Sequence, residues 1–154
     1  PVTQLALRGT KERPSWYPTG SFGWPCNGVI TSYFGPRNTG IRGASTYHEA
    51  IDIANSYGTP IYASAGGTVT KAGYNKAGAG TGYGYSVIIS HSGGYTTVYA
   101  HCLSLTVSAG QTVRQGQLIG YVGSTGRSSG NHCHFEIRLN GSYIPPQNVF
   151  PGRK

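Results

Sequence analysis

Five histidines and one aspartate carry most of the chemical capacity of this 154-residue chain. The histidines are His48, His91, His101, His132 and His134, and Asp52 is the sole aspartate. His48 and Asp52 stand four positions apart in His48-Glu49-Ala50-Ile51-Asp52, while His132-Cys133-His134 opens the strand-like run HCHFEIRL. In an extended strand, residues two apart share a face roughly 6.6 Å from each other, so His132 and His134 can point into one site while Cys133 points away. A four-residue spacing joins two groups on a helix but leaves them about 13 Å apart on a straight strand, so His48 and Asp52 need a bend if their segment is extended. The run HEAID begins like the zinc-protease helix motif HExxH, with Glu49 in the general-base place. That reading fails, because Asp52 holds the second ligand position and the flanks show no helical stripe before Gly58 and Pro60. Taken singly, each histidine reads as a hydrogen-bonded, half-buried residue. Taken together, two histidines and a carboxylate are a known catalytic zinc set that leaves a fourth position for a water of pKa ~7, and a further histidine nearby can move a proton at neutral pH.

The elements that must position these residues are strands. With 25 Gly, 9 Pro, 12 Tyr and no Met, the chain is rich in turn formers and β-favouring aromatics, which excludes a helical bundle or coiled coil. Short β-type runs at 29–34, 60–63, 68–72, 85–90, 96–99, 117–122 and 133–139 are separated by glycine-rich turns, and none sustains a helical period. The expected fold is all-β, an antiparallel sheet or sandwich. Segments 35–47, 73–84 and 123–131 are too long for hairpin turns and are expected to border a binding groove. The length suits one domain. Residues 1–21 read as a strand remnant and linker, residues 22–154 as the domain proper, and the missing initiator Met suggests a piece of a longer parent. No run approaches ~18 apolar residues, so no membrane span is expected, and the start shows no signal-peptide pattern. The net charge of +8 comes from 12 basic against only 4 acidic residues. The basic residues are scattered with no nucleic-acid motif beside them, which argues against nucleic acid as partner and for retention on an anionic surface. Cys26, Cys102 and Cys133 are too few for a disulfide framework, and at most one pair can form.

Several motifs add a family resemblance. Phe22-Gly23-Trp24-Pro25, the run 30–37 (ITSYFGPR), His48 to Ile53, the run 58–63 (GTPIYA), the run 95–101 (YTTVYAH), the run 123–128 (GSTGRS) and His132 to Ile137 resemble, in order and over roughly residues 22–150, the M23 peptidases of the lysostaphin or LytM type. The resemblance implies a zinc endopeptidase that cuts bacterial peptidoglycan peptides in a loop-bordered groove on an antiparallel sheet. It implies one zinc per chain held by His48, Asp52 and His134, with His101 and His132 as the catalytic histidines, and a monomer working outside the cell or in the wall. It also leaves a second reading open, a degenerate member that binds peptidoglycan or a protein partner without cutting. The opening PVTQLALRGTK resembles the closing strand of a G5 module. His91 corresponds to a family histidine that is not a ligand, and it is expected to be structural.

The chain departs from the family at four positions. Ala50 replaces the usual glycine between two ligands, which adds one methyl group there. Cys102 and Cys133 replace leucines, and Cys26 replaces a valine. Alternation turns Cys102 and Cys133 away from the groove, where they are small core residues, a disulfide, or, for Cys133, a zinc ligand turned against its strand, in that order of expectation. Glu136 shares the face of His132 and His134, where it orients a ligand imidazole or pairs with Arg138. Tyr83 and Tyr85, flanking Gly84 at the end of the glycine-rich run 78–84, are expected to lie against an extended peptide, and Tyr47 to close a loop or to hydrogen-bond the transition state.

Overall fold

Valine, isoleucine, threonine and tyrosine dominate the regular segments, and these residues pack well on a pleated, half-buried surface. The computed structural model describes residues 22–36, 47–75, 82–125 and 130–146. Expectations placed on residues 1–21, 37–46, 76–81, 126–129 and 147–154, and on the side chain of Tyr47, lie outside the described residues. The strands are β1 (Val29–Ser32), β2 (Gly35–Pro36), β3 (Tyr47–His48), β4 (Ile51–Ala54), β5 (Pro60–Tyr62), β6 (Gly67–Asn75), β7 (Gly84–Ser90), β8 (Tyr95–Leu105), β9 (Thr112–Val113), β10 (Leu118–Val122), β11 (His132–Leu139) and β12 (Ser142–Ile144). Among the described residues the single helical element is one turn at Ser92–Gly94.

The main sheet runs in the order β1-β4-β11-β8-β7-β6-β9, with every pairing antiparallel. Strand β8 is its backbone: the first half pairs with β11 and β7, and the far end turns to pair with β10, which in turn pairs with β5. A separate two-stranded ribbon joins β2 to β3. The all-β antiparallel expectation is what the chain adopts. The expected strands recur within a few residues, and β8 runs six residues past its expected end at Tyr99.

One face of the main sheet carries the core. Ile51 and Ile53 of β4, Val87 and Ile89 of β7, and Cys133, Phe135 and Ile137 of β11 form one buried cluster with Ile61 of β5, Ile119 and Val122 of β10, and Phe22, Trp24 and Cys26. Each such aliphatic or aromatic side chain contributes roughly 1.5–3 kcal/mol by leaving water. The opposite face of β11 presents His132, His134, Glu136 and Arg138, because alternate residues leave the core face. A rigid, dry underside therefore fixes the direction of each polar side chain above it.

Candidate metal centre

His48 and Asp52 come together through a break in the chain. His48 ends β3 in the small ribbon, Glu49 and Ala50 form a bend, and Asp52 lies in β4 of the main sheet. The bend that an extended reading requires is thus a change of sheet, and it brings His48 Nε2 to 3.5 Å from Asp52 Oδ2. Ala50 is buried within this bend, so its extra methyl is accommodated. His134 sits directly across from Asp52 in the β4–β11 register, with Nδ1 3.1 Å from Asp52 Oδ1. One ligand atom from each of His48, Asp52 and His134 falls within 4.8 Å of the others.

The hydrogen bonds at the rear of each ring decide which atom faces the center. His48 Nδ1 lies 3.2 Å from the carbonyl oxygen of Tyr33 and 3.0 Å from Ser32 Oγ. A carbonyl accepts only, so Nδ1 carries the proton and Nε2 offers a lone pair toward Asp52. His134 Nε2 donates to Glu136 Oε2 at 2.9 Å, so its Nδ1 lone pair also faces Asp52. Two imidazole lone pairs and a carboxylate aimed at one point repel one another unless a cation lies between them. Donor atoms roughly 3.3 Å apart are what four ~2.0 Å bonds at tetrahedral angles require, and the donor set matches zinc. Without a metal a proton can serve instead: burial works to lower the His134 pKa, but hydrogen bonds to Asp52 and Glu136 outweigh it and push it up to about 9. For Asp52, burial works to raise the pKa, yet His134, with His132 and His48 behind it, holds the carboxyl below its ordinary value.

His101 and His132 stand beside this cluster. Their ring centroids are 5.2 Å apart, and the His101 ring lies 5.6 Å from that of His134. His132 Nε2 comes within 3.5 Å of Asp52 Oδ1, and its Nδ1 donates to the carbonyl oxygen of Gly130 at 2.9 Å. His101 reaches the site through a bulge. Between Tyr85↔Cys102 and Val87↔Tyr99, β7 advances two residues while β8 advances three, and His101 takes the extra step at φ 63°. A non-glycine residue holds that left-handed conformation only when its surroundings enforce it. Two hydrogen bonds do so here, from His101 N to the Tyr83 carbonyl at 2.8 Å and from Nδ1 to the Thr125 carbonyl at 2.7 Å. Burial, and then the neighbouring His134 and His132, pull the His101 pKa down to about 4 against the pull of that carbonyl, so Nε2 is an unprotonated acceptor at neutral pH.

The five expected site residues therefore meet in one place. Residues whose part the sequence left unread complete their surroundings: Ser32 and the Tyr33 carbonyl behind His48, Thr125 behind His101, and Tyr83 behind Glu136. Thr125 lies in the GSTG run, which marks a turn but names no acceptor. Tyr83 departs from its expected place along a peptide groove, since it is only 6 % exposed and hydrogen-bonds Glu136, whereas Tyr85 is exposed and meets Tyr74 edge-to-face. Glu136 does both things expected of it, accepting from His134 and from Arg138 Nη2 at 2.8 Å. Cys26, Cys102 and Cys133 are free and buried on the core side, so the core reading of the thiols holds and neither the disulfide nor the Cys133 ligand forms. His91 is structural, with Nδ1 donating to Gly66 O and Nε2 accepting from Thr97 Oγ1.

A family model for peptidase family M23 matches residues 46–146. The chain is 44 % identical over 120 residues to the DD-carboxypeptidase/endopeptidase Mpg of Neisseria meningitidis, covering 78 % of this chain and 26 % of Mpg. It is 39 % identical over 157 aligned positions to the murein hydrolase activator NlpD of Salmonella dublin, covering 99 % of this chain and 38 % of NlpD. The chain thus spans about a quarter to two-fifths of the length of these relatives. Its fold is similar to that of a zinc-containing peptidase from Vibrio cholerae, with a TM-score of 0.73 at 30 % identity, covering 82 % of this chain and 39 % of that one. No helix among the described residues is long and apolar enough to cross a membrane.

Proposed function

The chain belongs to peptidase family M23, and from that premise we propose that it is a zinc-dependent endopeptidase that hydrolyses peptide bonds of bacterial peptidoglycan. The observation that carries the reading is the convergence of His48 Nε2, His134 Nδ1 and the Asp52 carboxylate, with His101 and His132 alongside. His48, Asp52 and His134 would hold one zinc ion. When bound, zinc supplies a Lewis acid that lowers the pKa of a water to ~7 and polarises a carbonyl.

The other steps fall to the chain's own groups. His101 Nε2, held unprotonated, accepts the proton of the attacking water and returns it to the leaving amine, as general base and then general acid. The Thr125 carbonyl keeps His101 Nδ1 protonated throughout, so the exchange is confined to Nε2. His132, its Nδ1 held by the Gly130 carbonyl and its Nε2 3.5 Å from Asp52 Oδ1, stands beside the ligand cluster as the second catalytic imidazole, facing the scissile carbonyl. A site that contributes a carboxylate and four imidazoles needs no glutamate base, and exposed Glu49 takes no part.

Residues 22–154 are, on this reading, the hydrolase domain of a monomeric enzyme that acts in the cell envelope, where a basic surface favours the anionic wall. A second reading is supported by the likeness to NlpD over 99 % of this chain: a domain that binds wall or partner without cutting. Zinc analysis of the purified chain, paired with release of new amino termini from a panel of peptidoglycans with and without chelator, separates the two. One zinc per chain with chelator-sensitive release supports the peptidase; metal without release on any wall supports the binding domain; a chain that takes up no metal defeats the metal-centre reading.

A further inference from the structure

We propose that Tyr83 is the positioning residue that joins the two halves of this site, fixing the backbone of His101 and, through Glu136, the imidazole of His134. The inference rests on the metal-centre reading and adds to it a residue outside the ligand and proton-transfer sets. Tyr83 precedes β7 and is buried, and its two polar groups point in different directions. Its carbonyl oxygen accepts from His101 N at 2.8 Å, one of the two bonds that hold His101 at φ 63°. Its hydroxyl donates at 2.7 Å to Glu136 Oε2, the same oxygen that receives His134 Nε2 at 2.9 Å.

The hydroxyl matters because of how the Glu136 carboxylate is shared. Oε1 accepts from Arg138 through Nε at 3.3 Å and Nη2 at 2.8 Å, while Oε2 serves Tyr83 and His134. Arg138 Nη2 also donates to the Tyr83 oxygen at 3.0 Å, which closes the network. Two charge-assisted bonds on one oxygen and a single imidazole bond on the other would rotate the carboxylate toward Arg138. The phenol balances that pull and keeps Oε2 under His134 Nε2. The tautomer that aims Nδ1 at Asp52 then persists, since a ligand imidazole is oriented by the acceptor behind it. Tyr83 is 6 % exposed, and both its carbonyl and its hydroxyl are engaged within this network.

Tyr83→Phe removes only the hydroxyl, leaving the carbonyl bond to His101 and the ring 5.8 Å from His134. Zinc affinity measured by chelator competition should fall about 10- to 100-fold, the usual range for a lost outer partner. The absorption spectrum of the cobalt-loaded chain should shift as the His134 ring loses its fixed orientation. Glu136→Gln, a second variant in case the first folds poorly, should weaken zinc at least as much. Combining the two should add nothing further, because the hydroxyl acts only through the carboxylate. A Tyr83→Phe chain with wild-type zinc affinity and an unchanged cobalt spectrum overturns the proposal, as does a double variant whose loss is the product of the single losses. A wild-type chain that binds neither zinc nor cobalt instead defeats the metal-centre reading, and this inference with it.

Discussion

The carbonyl oxygen of Thr125 lies 2.7 Å from Nδ1 of His101, and the hydroxyl of the same threonine donates to the carbonyl of Cys102 and accepts from Tyr85 N at 3.0 Å. One residue outside the ligand set thus ties the β8 bulge to the start of β7. Thr125→Val keeps the backbone carbonyl but leaves Tyr85 N without its hydroxyl partner and frees the turn. Turnover should fall about 10- to 100-fold while zinc content stays at the wild-type level, since small displacements of a proton-transfer group are costly. Unchanged turnover in this variant would show that the bulge holds His101 without the threonine side chain.

Ligands and proton carriers should separate cleanly under substitution. His134→Ala and Asp52→Ala should lose both bound zinc and peptidoglycan cleavage. His101→Ala should retain zinc and lose about 10²- to 10⁴-fold in turnover, the usual contribution of a positioned acid–base group. Elemental analysis beside an amino-terminus release assay reads both, and a His101→Ala chain with full turnover would remove that residue from the catalytic set.

His91 gives a prediction about acid. Its Nδ1 donates to Gly66 O at 2.7 Å, its Nε2 accepts from Thr97, Thr97 accepts from the Tyr99 hydroxyl, and that hydroxyl receives Ser64 N. With a neutral imidazole every bond in this chain has one donor and one acceptor. Burial lowers the His91 pKa below its ordinary value of 6.5, against the Gly66 carbonyl, so protons favour the unfolded chain. The stabilising contribution is full above 6.5 and is lost as pH falls from there through the lowered value. Denaturation midpoints of the wild type and His91→Gln, compared from pH 8 to pH 5, should draw closer on the acid side. A constant gap would contradict the neutral-histidine network.

Core and close-approach positions should respond by different mechanisms. Phe135→Ala opens a cavity against Tyr99, whose ring centroid is 5.2 Å away, and should cost about 3–5 kcal/mol in denaturant titration. Gly123→Ala adds a methyl that meets the backbone of Leu103, with Cα only 2.7 Å away, beside the bridge between Gly123 and His132. It should disturb both stability and turnover, and a Gly123→Ala chain with wild-type kinetics would show that the segment yields without moving His132.

Alternation is why so much of the site was legible in the sequence. His132, His134, Glu136 and Arg138 share one face of β11 by strand periodicity, and Cys133, Phe135 and Ile137 share the other. The run from Ile51 to Ala54 carries too little pattern, four residues after a bend, to read as a strand in the sequence, yet it supplies Asp52. The meeting of His48 with Asp52 depends on a change of sheet, and the inward turn of His101 on a bulge at positive φ. Both are set by tertiary pairing, to which residue spacing is blind. The parts played by Thr125 and Tyr83 rest on a backbone carbonyl and on a partner 53 positions away, relations with no local signature.

The three thiols under the sheet make the molecule its own stopwatch. Burial pushes Cys102 up to about 12, contact with Cys26 together with burial raises Cys133, and none of the three sulfurs meets solvent in the closed fold. An alkylating reagent can reach them only when strands part, so its rate counts opening events rather than intrinsic reactivity. Cys26 reports on the segment before β1, Cys102 on the turn of β8 toward β10, and Cys133 on the strand that carries both His132 and His134. Mass-resolved labelling would therefore rank which seam of the sheet loosens first, and would tell whether zinc tightens the Cys133 seam ahead of the others.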